Sequence, residues 1–284
     1  SPHFPGRLQT ETEAAMKEAL WWLVKSKSRV IDASLDNLLV LQGTENHDLT
    51  LRPNYYLIAS LFKEDPAFKD RRYDDGHTAA EHFAAYNAFF QKWPVQRIKS
   101  GLWFEVGSDS YQKYSWPALF NLHDLSPDPL VRKRFGMLLD IAFIEEAQVS
   151  VNGRRGGGRS RAGYGKNNFE AMKNLLYAPE GEAAGSSHSK VIETSSYQLP
   201  AAAILLRTMA FPAYAPFVIS NRVLGELEAG KATGDNGITH AADSAQINYA
   251  YRTPHYILGS TLQNPALSMP APETKDPVLK YASI

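Results

Sequence analysis

Apolar residues recur at helical spacing through most of the first half of the chain. Met16, Ala19, Leu20 and Leu23 mark one stripe within residues 10–27, with Thr10 or Thr12 placed to cap its start. The same pattern predicts helices over 48–62, 78–92 and 110–122. Turn signals close them: Asp65 with Pro66, Trp93 with Pro94, and the run Ser126, Pro127, Asp128. The most apolar segment is 129–149. There Val131, Phe135, Leu138, Leu139 and Ala142 share one face, and Ile141, Phe143 and Ile144 carry apolar character around the helix, the pattern of an element buried on several sides. Residues 167–177, 197–209 and 217–228 read as further helices. Alternating pattern is scarce until 255–260, after Tyr251, Arg252, Thr253 and Pro254, where a short strand is expected. The prediction is an all-α chain whose tail leads toward a sheet.

Composition narrows the class. In 284 residues, 44% hydrophobic content is enough for one large domain or two ordinary ones. Thirty basic side chains balance thirty acidic ones, so nothing global argues for nucleic acid or an anionic membrane, and any polyanion site has to be local. No cysteine is present, which removes disulfide, thiol-nucleophile and thiolate-metal chemistry. No apolar run reaches the roughly 18 residues of a transmembrane helix, and Ser1 to Phe4 lacks the pattern of a signal peptide. A soluble chain is expected. A start without methionine and an end at Ile284 without a capping element suggest a processed or partial segment of something longer.

Three polar stretches interrupt the helices. Thr44, Glu45, Asn46, His47 and Asp48 follow the turn glycine Gly43 and precede an aromatic-rich helix. A carboxylate, an amide and an imidazole in succession can bind sugar hydroxyls or a carboxylate while one of them moves a proton. The same residue types also suit a helix N-cap, with Asn46 or Asp48 as the capping residue. The second stretch sets Glu105 and Tyr111 among Trp103, Tyr114 and Trp116. Aromatic faces stack on sugar rings and a carboxylate supplies hydrogen bonds or acid catalysis, although both tryptophans equally suit a core. In the third, Arg154, Arg155, Arg159 and Arg161 alternate with glycines and end near Tyr164. Guanidinium forks bind carboxylate or sulfate, glycines let backbone approach a ligand, and the plain alternative is a basic surface loop.

Several classes lack their motifs. The arginine loop is not closed by a Gly-Lys-Ser/Thr sequence, so it is not a nucleotide P-loop, and no basic stripe supports nucleic-acid binding. His77 and His82 are five residues apart, off a common helical face, and the zinc-peptidase motif is missing. No metal or other cofactor is expected. His123 reads as structural near the end of its helix, whereas His240 lies in a polar loop and is a candidate for a cleft. Nucleophile-elbow and dinucleotide fingerprints do not occur.

The order of helical hairpins, the Asn46-His47 turn after a small-residue loop, the aromatic-flanked polar loops and the late run 251–260 together resemble the (α/α)-toroid polysaccharide lyases, such as the alginate lyase and heparinase II/III-like families. The likeness spans residues 10–260 in organisation, and is specific at Asn46 and His47 and more loosely at the arginine-tyrosine loop. It implies an (α/α) toroid, whole or partial, over 1–250 and an extension at 251–284 that begins a β domain. It also implies an exported enzyme acting on an acidic polysaccharide or oligosaccharide by β-elimination at a uronate. In such enzymes an asparagine or histidine neutralises the uronate carboxylate, because the adjacent proton is barely acidic until that charge is met by donors. Carried over, Asn46 is the neutraliser, His47 the base, Tyr164 or Tyr111 the acid, and Arg154 and Arg159 hold neighbouring acidic sugars. Trp103 and His240 complete the expected binding set. Glu45 departs from this pattern, since it sets an anion beside a uronate. It suits instead a glycoside hydrolase using Glu45 and Glu105 as paired carboxylates. A non-catalytic glycan-binding protein is the third class.

Overall fold

The computed structural model describes residues 6–100, 102–103, 112–151, 154–155, 195–203, 239–241, 246–252 and 256–263. Helix dominates them. In chain order come α1 (Thr10–Lys25), two short 3-10 turns, β1 (Val40–Gln42), α2 (Glu45–Phe62), α3 (Ala79–Ser100), α4 (Gln112–Leu125) and α5 (Pro129–Gln148). Short strands follow: β2 (Ser150–Val151), β3 (Arg154–Arg155), β4 (Thr239–Ala241), β5 (Gln246–Arg252) and β6 (Ile257–Gln263). They pair as three antiparallel ladders, β1 with β4, β2 with β3, and β5 with β6. The strand expected at 255–260 is β6, and its partner β5 crosses residue 250, where the helical region was expected to end. The expected helices 167–177 and 217–228 lie outside the described residues; of 197–209, residues 197–203 are described, and only 201–203 are helical while 197–200 are not.

Two compact units divide the chain, one formed by residues 1–38 and 51–90, the other by 39–50 and 91–284. The core of the first is aromatic. Trp21 of α1 meets Tyr73 edge-on with ring centroids 4.9 Å apart, and Phe62 stacks on Phe68 at 4.4 Å. Tyr56, Ala59, Phe62, Tyr86 and Phe89 are fully enclosed. Ion pairs tie down the rim, Lys17 with Asp65 at 3.0 Å and Arg71 with Glu18 at 2.6 Å.

In the second unit α4 and α5 form a hairpin around Trp116, Phe120, Phe135 and Phe143. Asp128 caps α5, its carboxylate accepting from the backbone N–H groups of Leu130 and Val131, and Pro129 occupies the first turn, where its missing N–H costs nothing. Close approach of the two helices needs Gly136: a Cβ there would come within 3.2 Å of the His123 ring.

Helix α3 corrects an expectation. Trp93 and Pro94 do not end it; the helix continues to Ser100 with Pro94 inside. A proline there breaks the local ladder of hydrogen bonds. Three residues before it, the carbonyl of Gln91 accepts from the Arg134 guanidinium. Trp93 stacks on Phe135 with centroids 5.9 Å apart and planes 6° from parallel, so tertiary packing holds the helix through its weak point.

Candidate active site

Helix α2 starts at Glu45, earlier than the pattern predicted, because Thr44 is its N-cap. The Thr44 carbonyl accepts the first helical bond, from the Asp48 N–H at 2.9 Å. The expected capping residue Asp48 works elsewhere: its carboxylate accepts from the Gln42 N–H at 3.0 Å and fixes the end of β1 to the helix. Gly43 makes the corner between them with φ +80°, a left-handed conformation that side chains with a Cβ rarely adopt. Asn46 and His47 therefore occupy the first turn of a helix rather than a loop before it.

Within that turn the three functional candidates have different surroundings. The Glu45 side chain is wholly buried and forms an ion pair with Arg97 of α3, itself 1% exposed. The same guanidinium donates from Nε to the Leu102 carbonyl at 2.9 Å and lies over the Trp93 ring. Asn46 is also buried, and its Oδ1 is 2.6 Å from the Thr44 hydroxyl. His47 is exposed. Its Nδ1 lies 2.9 Å from the same Thr44 hydroxyl, and its Nε2 has no hydrogen bond among the described residues.

Glu45, the expected catalytic carboxylate of the hydrolase reading, faces a guanidinium inside the protein. The anion that would repel a uronate is thereby met by a cation. Arg97 was missed in the sequence, yet its position was readable. Tyr86, Phe90, Trp93 and Arg97 fall at spacings of four, three and four, so an arginine continues the buried stripe of α3.

Trp103 is 4% exposed, packed against Trp116 with centroids 5.1 Å apart. Of its two expected placements, core or sugar-stacking, its burial fits the core; Arg97 ties the adjoining Leu102 carbonyl to the Glu45 pair. His240 lies in β4, at the register position opposite Leu41 of β1, so the topology brings its strand beside the segment that enters the Thr44 turn. Arg154 lies in β3, opposite Val151 of β2, the strand that follows α5. Glu105, Tyr111, Arg159 and Tyr164 lie outside the described residues.

A second histidine arrangement occurs in the other unit. Ser28 Oγ is 2.9 Å from His82 Nδ1, and His82 Nε2 is 3.1 Å from Asp75 Oδ1. Burial dominates the imidazole and holds its pKa below the ordinary value against the pull of Asp75. For Asp75, burial raises the pKa, but donors from the Val30 backbone, His82 and the His77 backbone outweigh it and leave the carboxyl below its usual range. Tyr73 stacks on His82 at 3.8 Å, and burial raises the Tyr73 phenol pKa well above normal. Ser28 is 1% and His82 0% exposed, so this serine and histidine are sealed from any substrate, with Asp75 at the edge of the buried pair. They fasten the segment after α1 to α3.

Among the described residues no group of three or more acidic or histidine side chains is arranged to hold a metal ion, and no helix is long and apolar enough to cross a membrane. No protein-family model, curated protein or solved structure matches the chain.

Proposed function

We propose that the chain is a carbohydrate-active enzyme that cleaves an acidic polysaccharide or oligosaccharide by β-elimination at a uronate, with His47 as the base. The observation that carries this reading is the 44–47 turn: an exposed imidazole held through one nitrogen, beside an amide, with the neighbouring carboxylate neutralised by Arg97. In the reaction the base removes the C5 proton. The electrons of that C–H bond form the C4=C5 double bond, the C4–O4 bond breaks, and the departing oxygen takes a proton. Donors that meet the uronate carboxylate make the first step feasible, because charge grows there in the transition state.

Asn46 supplies the amide next to the base, Tyr111 or Tyr164 the proton for the leaving oxygen, and Arg154 and Arg159 the contacts to neighbouring acidic sugars. His240 joins from the strand paired with β1. An (α/α) toroid belongs to the same proposal, supported by the helical hairpin α4/α5 and the predominantly helical described residues, and an exported location follows from the proposed polysaccharide substrate.

Burial of Glu45 favours elimination over hydrolysis by Glu45 and Glu105, because a general acid has to reach the glycosidic oxygen. The test is a panel of uronate-containing polysaccharides followed by ultraviolet absorbance of the unsaturated product, beside a reducing-end assay. Absorbance that grows with the chain and vanishes in His47→Ala is expected. New reducing ends without that absorbance would replace the reading by hydrolysis, and retained glycan binding without either signal would replace it by a binding protein.

A further inference from the structure

We propose that Thr44 is a positioning residue that fixes the tautomer of His47, placing the proton on Nδ1 and leaving Nε2 as the basic nitrogen. The Thr44 hydroxyl has one proton and lies between an amide oxygen and an imidazole nitrogen. Its oxygen lies 2.6 Å from Asn46 Oδ1 and 2.9 Å from His47 Nδ1. The shorter contact has the length of an O–H···O bond and is short for an amide N–H donor, whereas the longer one matches N–H···O. A carbonyl oxygen only accepts, so the hydroxyl proton goes to Asn46. The hydroxyl oxygen then has lone pairs to offer, and the imidazole donates to it from Nδ1. A neutral imidazole carries one N–H, so Nε2 holds the lone pair.

The local fold holds this chain of bonds in place. Thr44 is anchored as N-cap by the Asp48 N–H, and Thr50 donates to the Asn46 carbonyl at 2.6 Å, bracing the turn from within α2. Opposite the imidazole stands Gly43, where an added Cβ would lie 3.8 Å from His47 Nδ1. Thr44 and Gly43 thus bound the Nδ1 edge of the ring, and the Nε2 edge is the one left for a reacting proton. Asn46 gains a second role, since its oxygen directs the hydroxyl.

The kinetic part of this inference rests on the elimination reading; the tautomer does not. The experiment is long-range proton–nitrogen correlation NMR on the full chain with ring-labelled histidine, at a pH where His47 is neutral, with the His47 signals assigned from His47→Gln. Wild type is expected to show the Nδ1–H pattern, Thr44→Val the Nε2–H pattern, and Thr44→Ser the wild-type pattern again. An Nε2–H pattern in wild type, or one unchanged by Thr44→Val in a folded protein, overturns the proposal. If Thr44→Val does not fold, the wild-type and Thr44→Ser spectra decide it. Where the chain shows elimination, Thr44→Val lowers kcat by about ten- to a hundredfold with KM nearly unchanged, and Thr44→Ser restores it. Absence of elimination in wild type refutes the functional reading while leaving the spectra to judge the tautomer.

Discussion

Two histidines in this molecule bond a side-chain hydroxyl through Nδ1 at the same 2.9 Å, and they do opposite things. His82 has both nitrogens engaged, one by Ser28 and one by Asp75, with Tyr73 over its face and no exposure. His47 has one nitrogen engaged and an exposed ring. The set that matches a hydrolase by composition is buried inside the protein, and the plainer set is the one we propose to react. Access and an unspent lone pair separate the two, and residue identity does not.

The comparison can be broken by changing what each histidine leans on. The largest effect is expected behind His47, at the ion pair that lets its turn exist. Arg97→Met removes the cation that faces the buried Glu45 carboxylate and is expected to cost about 3–5 kcal/mol in urea unfolding, whereas the double variant with Glu45→Gln recovers much of that. A double variant as unstable as the single one would mean that the arginine acts through packing alone. Next comes His82→Ala, which removes one partner each from Ser28 and Asp75 and opens a cavity beneath Tyr73. We expect a loss of about 2–4 kcal/mol with no change in the tautomer of His47.

Acid titration sharpens the contrast. The folded protein holds His82 neutral below the ordinary imidazole range, so the unfolded chain takes up its proton first as pH falls. Stability present at neutral pH is therefore lost as pH drops below about 6.5, down to the lowered folded value. Asp75 adds stability that is present above about 3.9 and is lost as pH falls through its depressed folded value. Unfolding midpoints across pH should show the first of these losses disappear in His82→Gln. A slope near pH 6.5 that survives the substitution would assign it to another group.

Smaller effects belong to the His47 turn. Gly43→Ala, at φ +80°, should cost about 1–2 kcal/mol from backbone strain. His47→Ala should stay within about 0.5 kcal/mol of wild type because the ring is exposed, while abolishing elimination. A large stability loss on removing His47 would make it a fastening like His82.

The periodic segments were readable: the spacings in 10–27 and 129–149 correspond to α1 and α5 within two residues at either end. Their boundaries near α2 and α3 were not, for one reason in each case. Glu45, Asn46 and His47 look like loop because polar residues cluster there, but one of them is neutralised inside the protein and another is bonded to the cap. Pro94 looks like a stop, but the packing of Trp93 on Phe135 outweighs the lost backbone bond. Pairings distant in sequence, Ser28 with His82 or Glu45 with Arg97, leave no local trace. Arg97 alone gave a hint, as a cation on the apolar stripe.

Gly136 and its neighbour have a practical meaning. Position 136 admits no side chain without displacing His123, whereas Met137, the next residue of α5, is 52% exposed. The natural chain contains no thiol. Met137→Cys would therefore give a molecule with a single attachment point for a fluorophore or spin label, on a helix whose inner face is fixed by the α4 contact, so that a shift in the probe signal reports motion of the helix rather than wandering of the label.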